Sequence, residues 1–250
     1  MEYMKLRDTL NTLEGYQEIM DQYESYIQED LEGLQTVEDK EVIKDTTERL
    51  FNYTLSILQA KYSQGRPVEE LRPLLASTIE YSTTIWEQSS AYTEMIWMLS
   101  IGIMLEIEDE EYNKLIKLIE LDNPHDYLVD QLIKYRRSDW KSESIEFKFS
   151  KPYMKIKRVF DAACNGDKEQ AIEALKSYVD KAWYKGNSDT GWYDSHKSKF
   201  NIHVGYCSYE SGAIAKILGL DDAGLRDHQY YPYDLVHWKD AETQSERIAE

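Results

Sequence analysis

Three charged side chains in the middle of the chain have the types and order that metal-dependent nucleases use. Asp139 is followed by Glu146 and Lys148, which are separated by one residue. Two carboxylates can hold a metal ion while a lysine helps to activate water. However, such a triplet arises easily in a chain of which 30% is charged, and no partner strand is evident for the alternating segment 141–151. We expect a short extended segment or a loop there, and no nuclease site.

A second group of chemically capable residues lies between positions 194 and 210. It comprises Asp194, His196, His203, Cys207 and Glu210, and carboxylate, imidazole and thiolate are all zinc ligands. The spacing matches no closed zinc pattern, and no two histidines stand four apart. A metal-dependent hydrolase that uses this loop stays open as an alternative function.

Nucleophilic catalysis has little support in the sequence. Ser208 lies in GYCSYESG, but the glycines do not have the spacing of a G-x-S-x-G elbow and no strand precedes it. Cys164 and Cys207 form neither a CxxC pair nor a zinc spacing, which suits a reducing compartment. We therefore expect no enzyme activity and no cofactor.

The chain is strongly acidic, and the excess is concentrated near its start. Its 47 Asp and Glu residues against 29 Lys and Arg give a net charge of −18. Residues 1–111 hold 24 acids and 8 bases, whereas residues 112–204 hold 14 acids and 17 bases. Such a surface repels phosphate, which disfavours direct binding to nucleic acids or anionic membranes and favours a basic protein partner.

The apolar content is sufficient for a packed core, at 42% of 250 residues. The first ten residues carry charges where a signal peptide needs an apolar centre. The longest apolar run, residues 95–105, is interrupted by Ser100 and Gly102 and is too short to span a bilayer. We therefore expect a cytoplasmic protein with no membrane segment.

The apolar pattern predicts helices almost throughout. From Leu6 to Leu34 apolar residues recur at steps of three and four, which is typical of an amphipathic helix. Pro73 suggests a regular helix from its position onward, in a buried hairpin or long helix. The other expected helices cover 41–62, 109–121, 125–137, 152–163, 167–183 and a segment that ends at Gly219.

The clearest break in the chain is Asp122-Asn123-Pro124, close to the change in charge. It predicts two packed helical domains: an acidic one over 1–122 and a second over 123–239, with a frayed tail over 240–250. The expected fold class is all-α with little or no β-structure.

The segment 205–239 is the most specific part of the sequence. It reads GYCSYESGAIAKILGLDD, then RDHQYYPYDLVHW after three residues, and it is preceded by WYDSHK at 192–197. This combination resembles the C-terminal signature of the PoNi family, the immunity proteins that neutralise PoNe nuclease toxins. Leu-Arg-Asp-Thr at 6–9, followed by a helix rich in Tyr and Glu, is similar to the start of that family.

The resemblance implies an all-helical protein that binds a cognate DNase toxin and blocks it. We expect it to act by stoichiometric occlusion. A DNase needs a basic cleft for DNA, which an acidic surface can cover, and charge speeds such an association. A helical adaptor for another partner stays open. The residues expected to meet the toxin by charge are Glu14, Glu18, Asp21, Glu24, Asp109, Glu110 and Glu111, with Trp192, Tyr193 and Asp194 as rim or anchor contacts.

Overall fold

The computed structural model describes residues 5–86, 91–122 and 125–239, and over these ranges the chain is helical without a strand. The all-α fold class is therefore confirmed. The alternating segment 141–151 contains no strand either, in agreement with the expected extended segment or loop. The first five helices are α1 (Leu13–Leu34), α2 (Lys40–Gln64), α3 (Leu71–Ile85), α4 (Tyr92–Leu105) and α5 (Asp109–Asp122).

The first of two compact units comprises the described parts of Met1–Met98 together with Ile107–Asp122 and Asp194–Tyr206. In it α1 packs along α2, α2 along α3, and α3 against α5. Tyr16 and Met20 of α1 are buried against Ile57 of α2. Val204, which belongs to the loop Asp194–Tyr206, packs on the same cluster. This unit therefore contains a loop that lies far away in sequence.

Helix α1 begins seven residues later than the apolar pattern predicted. The expected start at Leu6 is wrong because Thr12 caps the helix: its hydroxyl accepts a hydrogen bond from the backbone of Gly15 at 2.9 Å. The backbone N–H groups of Arg7 and Asp8 instead donate to the carbonyl of Ser63 at 2.9 and 3.2 Å. The preceding segment is thus held by α2.

Helix α2 is bounded by local capping at both ends. The carboxylate of Asp39 accepts from the N–H groups of Glu41 and Val42 at 2.9 and 3.2 Å. Gly65 ends the helix at φ 94°, a left-handed conformation that favours glycine. These bounds agree closely with the predicted range.

The second compact unit comprises Leu99–Glu106 and the described parts of Asn123–Tyr193 and Cys207–Glu250. In it α7 packs on α8, while α10 contacts both α6 and α11. Its helices are α6 (Tyr127–Arg136), α7 (Lys157–Cys164), α8 (Lys168–Tyr178), α9 (Tyr184–Gly186), α10 (Tyr209–Leu218) and α11 (Tyr233–Val236), with a π-helical turn Val179–Trp183 between α8 and α9.

Helix α10 packs too closely for a side chain at Gly212. A Cβ there would collide with Pro232 and Val236 and with the sulfur of Met104. The helix ends at Gly219 with φ 57°, where the sequence predicted its end. The indole N–H of Trp238 donates to the carbonyl of Met104 at 3.0 Å. Most of the signature segment is therefore packed into its own unit.

No helix among the described residues is both long enough and apolar enough to cross a membrane. The break at Asn123-Pro124 and the tail 240–250, which was expected to fray, lie outside the described residues.

Candidate functional site

Helix α1 presents an acidic face along its length. It carries seven Asp and Glu residues and no Lys, Arg or His. Glu14, Glu18 and Asp21 follow one another at steps of four and three, so they share one side of the helix, and all three are exposed, as is Glu24. The opposite side buries residues such as Tyr16. The acids predicted on α1 thus form one exposed stripe.

The acids predicted on α5 form a separate group. Asp109 and Glu110 are exposed and Glu111 is half-buried, all in the first turn, where negative charge stabilises a helix N-terminus. One helical turn further on, Lys114 bonds to Glu80 of α3 at 2.8 Å. Within the described residues α1 and α5 do not pack closely against one another. The two acidic groups therefore belong to different helices of the same unit.

The predicted aromatic contacts, Trp192 and Tyr193, are packed within the second unit. Both are half-buried. The Trp192 ring stacks on Trp183 with centroids 5.5 Å apart, and the Tyr193 ring lies 4.6 Å from Tyr184. Such pairs stabilise a fold, so these rings have a structural role in addition to any contact with a partner.

Asp194 begins the loop that belongs to the first unit. It has a left-handed backbone with φ 58°. Its carboxylate accepts from Lys197 at 2.9 Å, across the short 3₁₀ turn Ser195–Lys197. The pair is largely solvated, so it contributes little stability.

A buried carboxylate fixes this loop to the start of the chain, and it was not predicted. Asp8 accepts from the N–H of Tyr206 at 2.9 Å and of Leu10 at 2.7 Å, and it lies 3.2 Å from Nε2 of His203. Burial alone would raise the pKa of Asp8, but the hydrogen bonds from His203 and the two backbone groups lower it below its usual value. Nδ1 of His203 lies 2.9 Å from the Ser195 hydroxyl.

The order Ser195, His203, Asp8 is that of a hydrolytic triad. A hydrolase also needs its serine directed at a substrate and hydrogen-bond donors around the reacting oxygen. Here the Ser195 hydroxyl lies 3.2 Å from the hydroxyl of Tyr206, and His203 is only 3% exposed. These contacts join the loop to the N-terminal segment and stabilise the fold.

The residues that could have formed a metal site are engaged in other contacts. Among the described residues no three His, Cys, Asp or Glu side chains are placed to hold a metal ion together. Nδ1 of His196 lies 2.8 Å from the hydroxyl of Tyr206, and His203 is held by Asp8. The geometry therefore gives the hydrolase alternative no support.

Glu210 lies in a buried network of the second unit. Its Oε1 accepts from the hydroxyls of Tyr178 at 2.7 Å and Ser208 at 2.9 Å. Burial raises the pKa of Glu210 despite these hydrogen bonds. The Ser208 hydroxyl also contacts Ser211, and Ser208 has no exposed surface. The Ser208 hydroxyl is therefore closed off from solvent.

The nuclease-like triplet is also divided among separate contacts. Asp139 is exposed and accepts two hydrogen bonds from Arg137, at 2.8 and 2.9 Å. These hydrogen bonds lower the pKa of Asp139 to about 2. Glu146 uses its carbonyl to accept from the N–H of Tyr127, and the N–H of Lys148 donates to Asp126 at 2.8 Å. These contacts order a loop, and no group of three potential metal ligands forms in the part of the chain that the structure describes.

The loop beside the acidic stripe contains exposed apolar residues that were not predicted as contacts. Phe200 is 66% exposed and Ile202 is 46% exposed. Asn201 between them donates to the carbonyl of Gly15 at 2.9 Å and to Glu18 at 3.2 Å. The Phe-Asn-Ile triplet in an otherwise polar loop is the sequence feature from which these exposed apolar residues could have been predicted.

Two family models match this chain side by side. The model described as "PoNe immunity protein (PoNi), N-terminal" matches residues 7–117. The model described as "PoNe immunity proteins (PoNi), C-terminal" matches residues 124–235. Together they cover nearly the whole chain. No curated protein matches it.

One solved structure is similar over almost the full length. It is the crystal structure of protein PA2201 from Pseudomonas aeruginosa, with a TM-score of 0.71 at 16% sequence identity. The match covers 96% of this chain and 93% of the other. At this identity the similarity concerns the fold alone.

Proposed function

The chain belongs to the family of PoNe immunity proteins, and we propose that it neutralises its cognate toxin, a DNA-cleaving enzyme, by binding it one to one through an acidic surface. The observation that carries this proposal is α1, whose exposed side bears Glu14, Glu18 and Asp21 on a helix without a base. An enzyme that binds DNA must present positive charge to phosphate. An acidic protein surface is complementary to that cleft.

The proposed mechanism is occlusion. The acidic face is attracted to the basic cleft over a distance of about 10 Å at 0.1 M salt, so it speeds the encounter. Once bound, it occupies or covers the surface that DNA needs. The immunity protein supplies no chemistry, no cofactor and no contact with DNA in this mechanism, and we place its action in the cytoplasm.

We assign the main contact to the domain formed by residues 1–122 and propose residues 123–239 as the second domain. The α1 stripe is the first choice, because its acids lie together and are exposed. Asp109, Glu110 and Glu111 on α5 are a second acidic group for the same partner. Trp192, Tyr193 and Asp194 are proposed as rim contacts through the exposed part of each residue.

Calorimetric titration tests this function. The partner is the candidate toxin to be identified among the genes beside this one, with its catalytic residue inactivated so that it can be produced. The proposal predicts a 1:1 complex whose Kd rises as salt is raised from about 50 to about 500 mM, because the attraction is screened. No heat of binding at micromolar concentrations would overturn the immunity assignment. Tight binding with a Kd that is independent of salt would overturn the electrostatic part of the proposal.

A further inference from the structure

The loop over residues 198–204 presents two large apolar side chains to solvent. Phe200 is 66% exposed and Ile202 is 46% exposed, with one residue between them. Leu10 is 38% exposed. It precedes Asn11, whose side chain contacts this loop. Adjacent exposed apolar groups on a folded surface are characteristic of contact sites, because they lose unfavourable hydration on binding.

The loop is held in place by hydrogen bonds. Asn11 donates to the side chain of Asn201 at 3.0 Å and to the carbonyl of His203 at 3.1 Å. The N–H of Phe200 donates to the Ser198 hydroxyl at 3.1 Å, and that of Ile202 to the carbonyl of Phe200 at 3.0 Å. A loop that is already ordered loses little entropy when a partner binds.

The same hydrogen bonds place the apolar pair beside the acidic stripe. Asn201 lies between Phe200 and Ile202 in the chain, and its amide bonds to the carbonyl of Gly15 and to Glu18 on α1. The ammonium of Lys199 lies 4.9 Å from the centre of the Phe200 ring, but α1 contributes acids alone to its exposed stripe. The surroundings of the apolar pair are therefore largely negative on the α1 side.

We propose that Phe200 and Ile202 are the apolar anchor of the toxin interface. This inference rests on the proposed function and adds the position of the contact. The occupant is a protein surface with an apolar depression bordered by Lys or Arg, so that the depression receives the Phe200 ring and the basic border faces Glu14 and Glu18. Interfaces of this kind concentrate their binding energy in a central aromatic group surrounded by polar contacts.

The test compares two double variants for binding to the inactivated neighbouring toxin at about 150 mM salt. Phe200→Ala with Ile202→Ala removes the proposed anchor. The matched control is Phe149→Ala with Ile145→Ala, since Phe149 and Ile145 are 46% and 80% exposed and belong to the second unit. We expect the first pair to raise Kd by at least about 30-fold, as central aromatic contacts do, and the control to change it by less than about threefold.

The outcomes separate this inference from the function on which it rests. If the unaltered protein fails to bind the toxin, the proposed function and the anchor fall together. If the unaltered protein binds and the Phe200–Ile202 variant binds equally well, the anchor is wrong and the function stands. Hydrogen exchange of the unaltered protein gives a second reading that needs no variant. Amides of residues 198–204 should become protected in the complex, and unchanged exchange there would contradict the proposal.

Discussion

Asp8 and His203 are 195 positions apart in sequence, yet the Asp8 carboxylate lies 3.2 Å from Nε2 of His203 in the buried part of one unit. The loop that follows Asp194 is thereby joined to the segment that precedes α1. The loop carries the exposed apolar pair, and the segment leads directly into the exposed stripe of α1. The surface that we assign to the toxin therefore depends on a buried polar contact.

Replacing Asp8 should destabilise the protein in a pH-dependent way. The N–H groups of Leu10 and Tyr206 donate to different oxygens of Asp8. Asp8→Asn keeps one of these acceptors, replaces the other by an NH2 donor and leaves His203 without its carboxylate, so we expect a loss of about 3 kcal/mol at pH 7. The pKa of Asp8 is lowered in the folded state, so its stabilisation is complete above the unfolded value of about 3.9 and is lost as pH falls through the folded value.

Urea unfolding at several pH values checks this expectation. The difference between Asp8→Asn and the unaltered protein should shrink as pH falls below 4. Asp21→Asn, at an exposed position, is the control and should change the unfolding free energy by less than about 0.5 kcal/mol. A difference that persists undiminished to pH 3 would contradict the role given to ionised Asp8.

Glu210 should show the opposite dependence on pH. Burial raises its folded pKa, so the folded state holds the proton more tightly than the unfolded state, and stability falls as pH rises from about 4.3 through the folded value. Glu210→Gln stays neutral and should become more stable relative to the unaltered protein as pH increases. Glu210→Ala leaves the hydroxyls of Tyr178 and Ser208 without this acceptor and should cost about 2 kcal/mol near pH 4, and less as pH rises, because the unaltered protein itself loses stability.

Thermal unfolding from pH 5 to pH 9 measures the effect at Glu210. A parallel pH profile for Glu210→Gln and the unaltered protein would show that the carboxyl group does not change its protonation in this range.

The helices could largely be predicted from sequence, because they depend on local patterns. Apolar spacing gave the range of α2, and a glycine in the left-handed conformation ends both α2 and α10 where expected. The start of α1 was mispredicted because Arg7 and Asp8 pair with Ser63. That contact competes with helix formation and leaves no mark in the local sequence.

The site was less accessible to sequence reasoning for the same physical reason. The α1 acids could be identified from their spacing on one helix. The position of Phe200 beside them depends on Asn201 contacting Gly15, at a separation of 186 residues. Likewise, the residues near His203 in the sequence are compatible with a metal ligand at this position. Its actual partner, Asp8, lies at the other end of the chain and could not be predicted from them.

Removing charge from α1 should slow association with the toxin. The triple variant Glu14→Gln, Asp21→Asn, Glu24→Gln should lower the association rate by about tenfold at about 50 mM salt and change dissociation much less, because exposed charges act mainly on the encounter. The effect should disappear by about 1 M salt. Stopped-flow fluorescence measures both rates.

The control for this experiment removes the same number of charges from exposed positions of the second unit. The control variant combines Glu169→Gln, Glu173→Gln and Asp221→Asn, since all three residues are exposed. Equal slowing by both triple variants would show that total charge, and not the α1 stripe, attracts the toxin. A further variant of Asp109, Glu110 and Glu111 would reveal whether α5 contributes.

Tyr193→Ala should weaken the fold more than the complex. Its ring lies 4.6 Å from that of Tyr184, so losing it should cost about 1–2 kcal/mol of unfolding free energy. As a rim contact it should raise the Kd for the toxin by less than about fivefold. Chemical unfolding gives the change in unfolding free energy, and titration of the same preparation with the toxin gives the change in Kd. A rise in Kd above about 30-fold would place Tyr193 at the centre of the interface.

The most direct test of stoichiometric neutralisation is a DNA-cleavage titration with the active neighbouring toxin. The toxin is held well above the Kd, and this protein is added in steps from zero to five equivalents. Neutralisation by occlusion predicts a linear fall in cleavage that reaches zero at one equivalent at about 100 mM salt. Cleavage that continues unchanged at five equivalents would contradict the account.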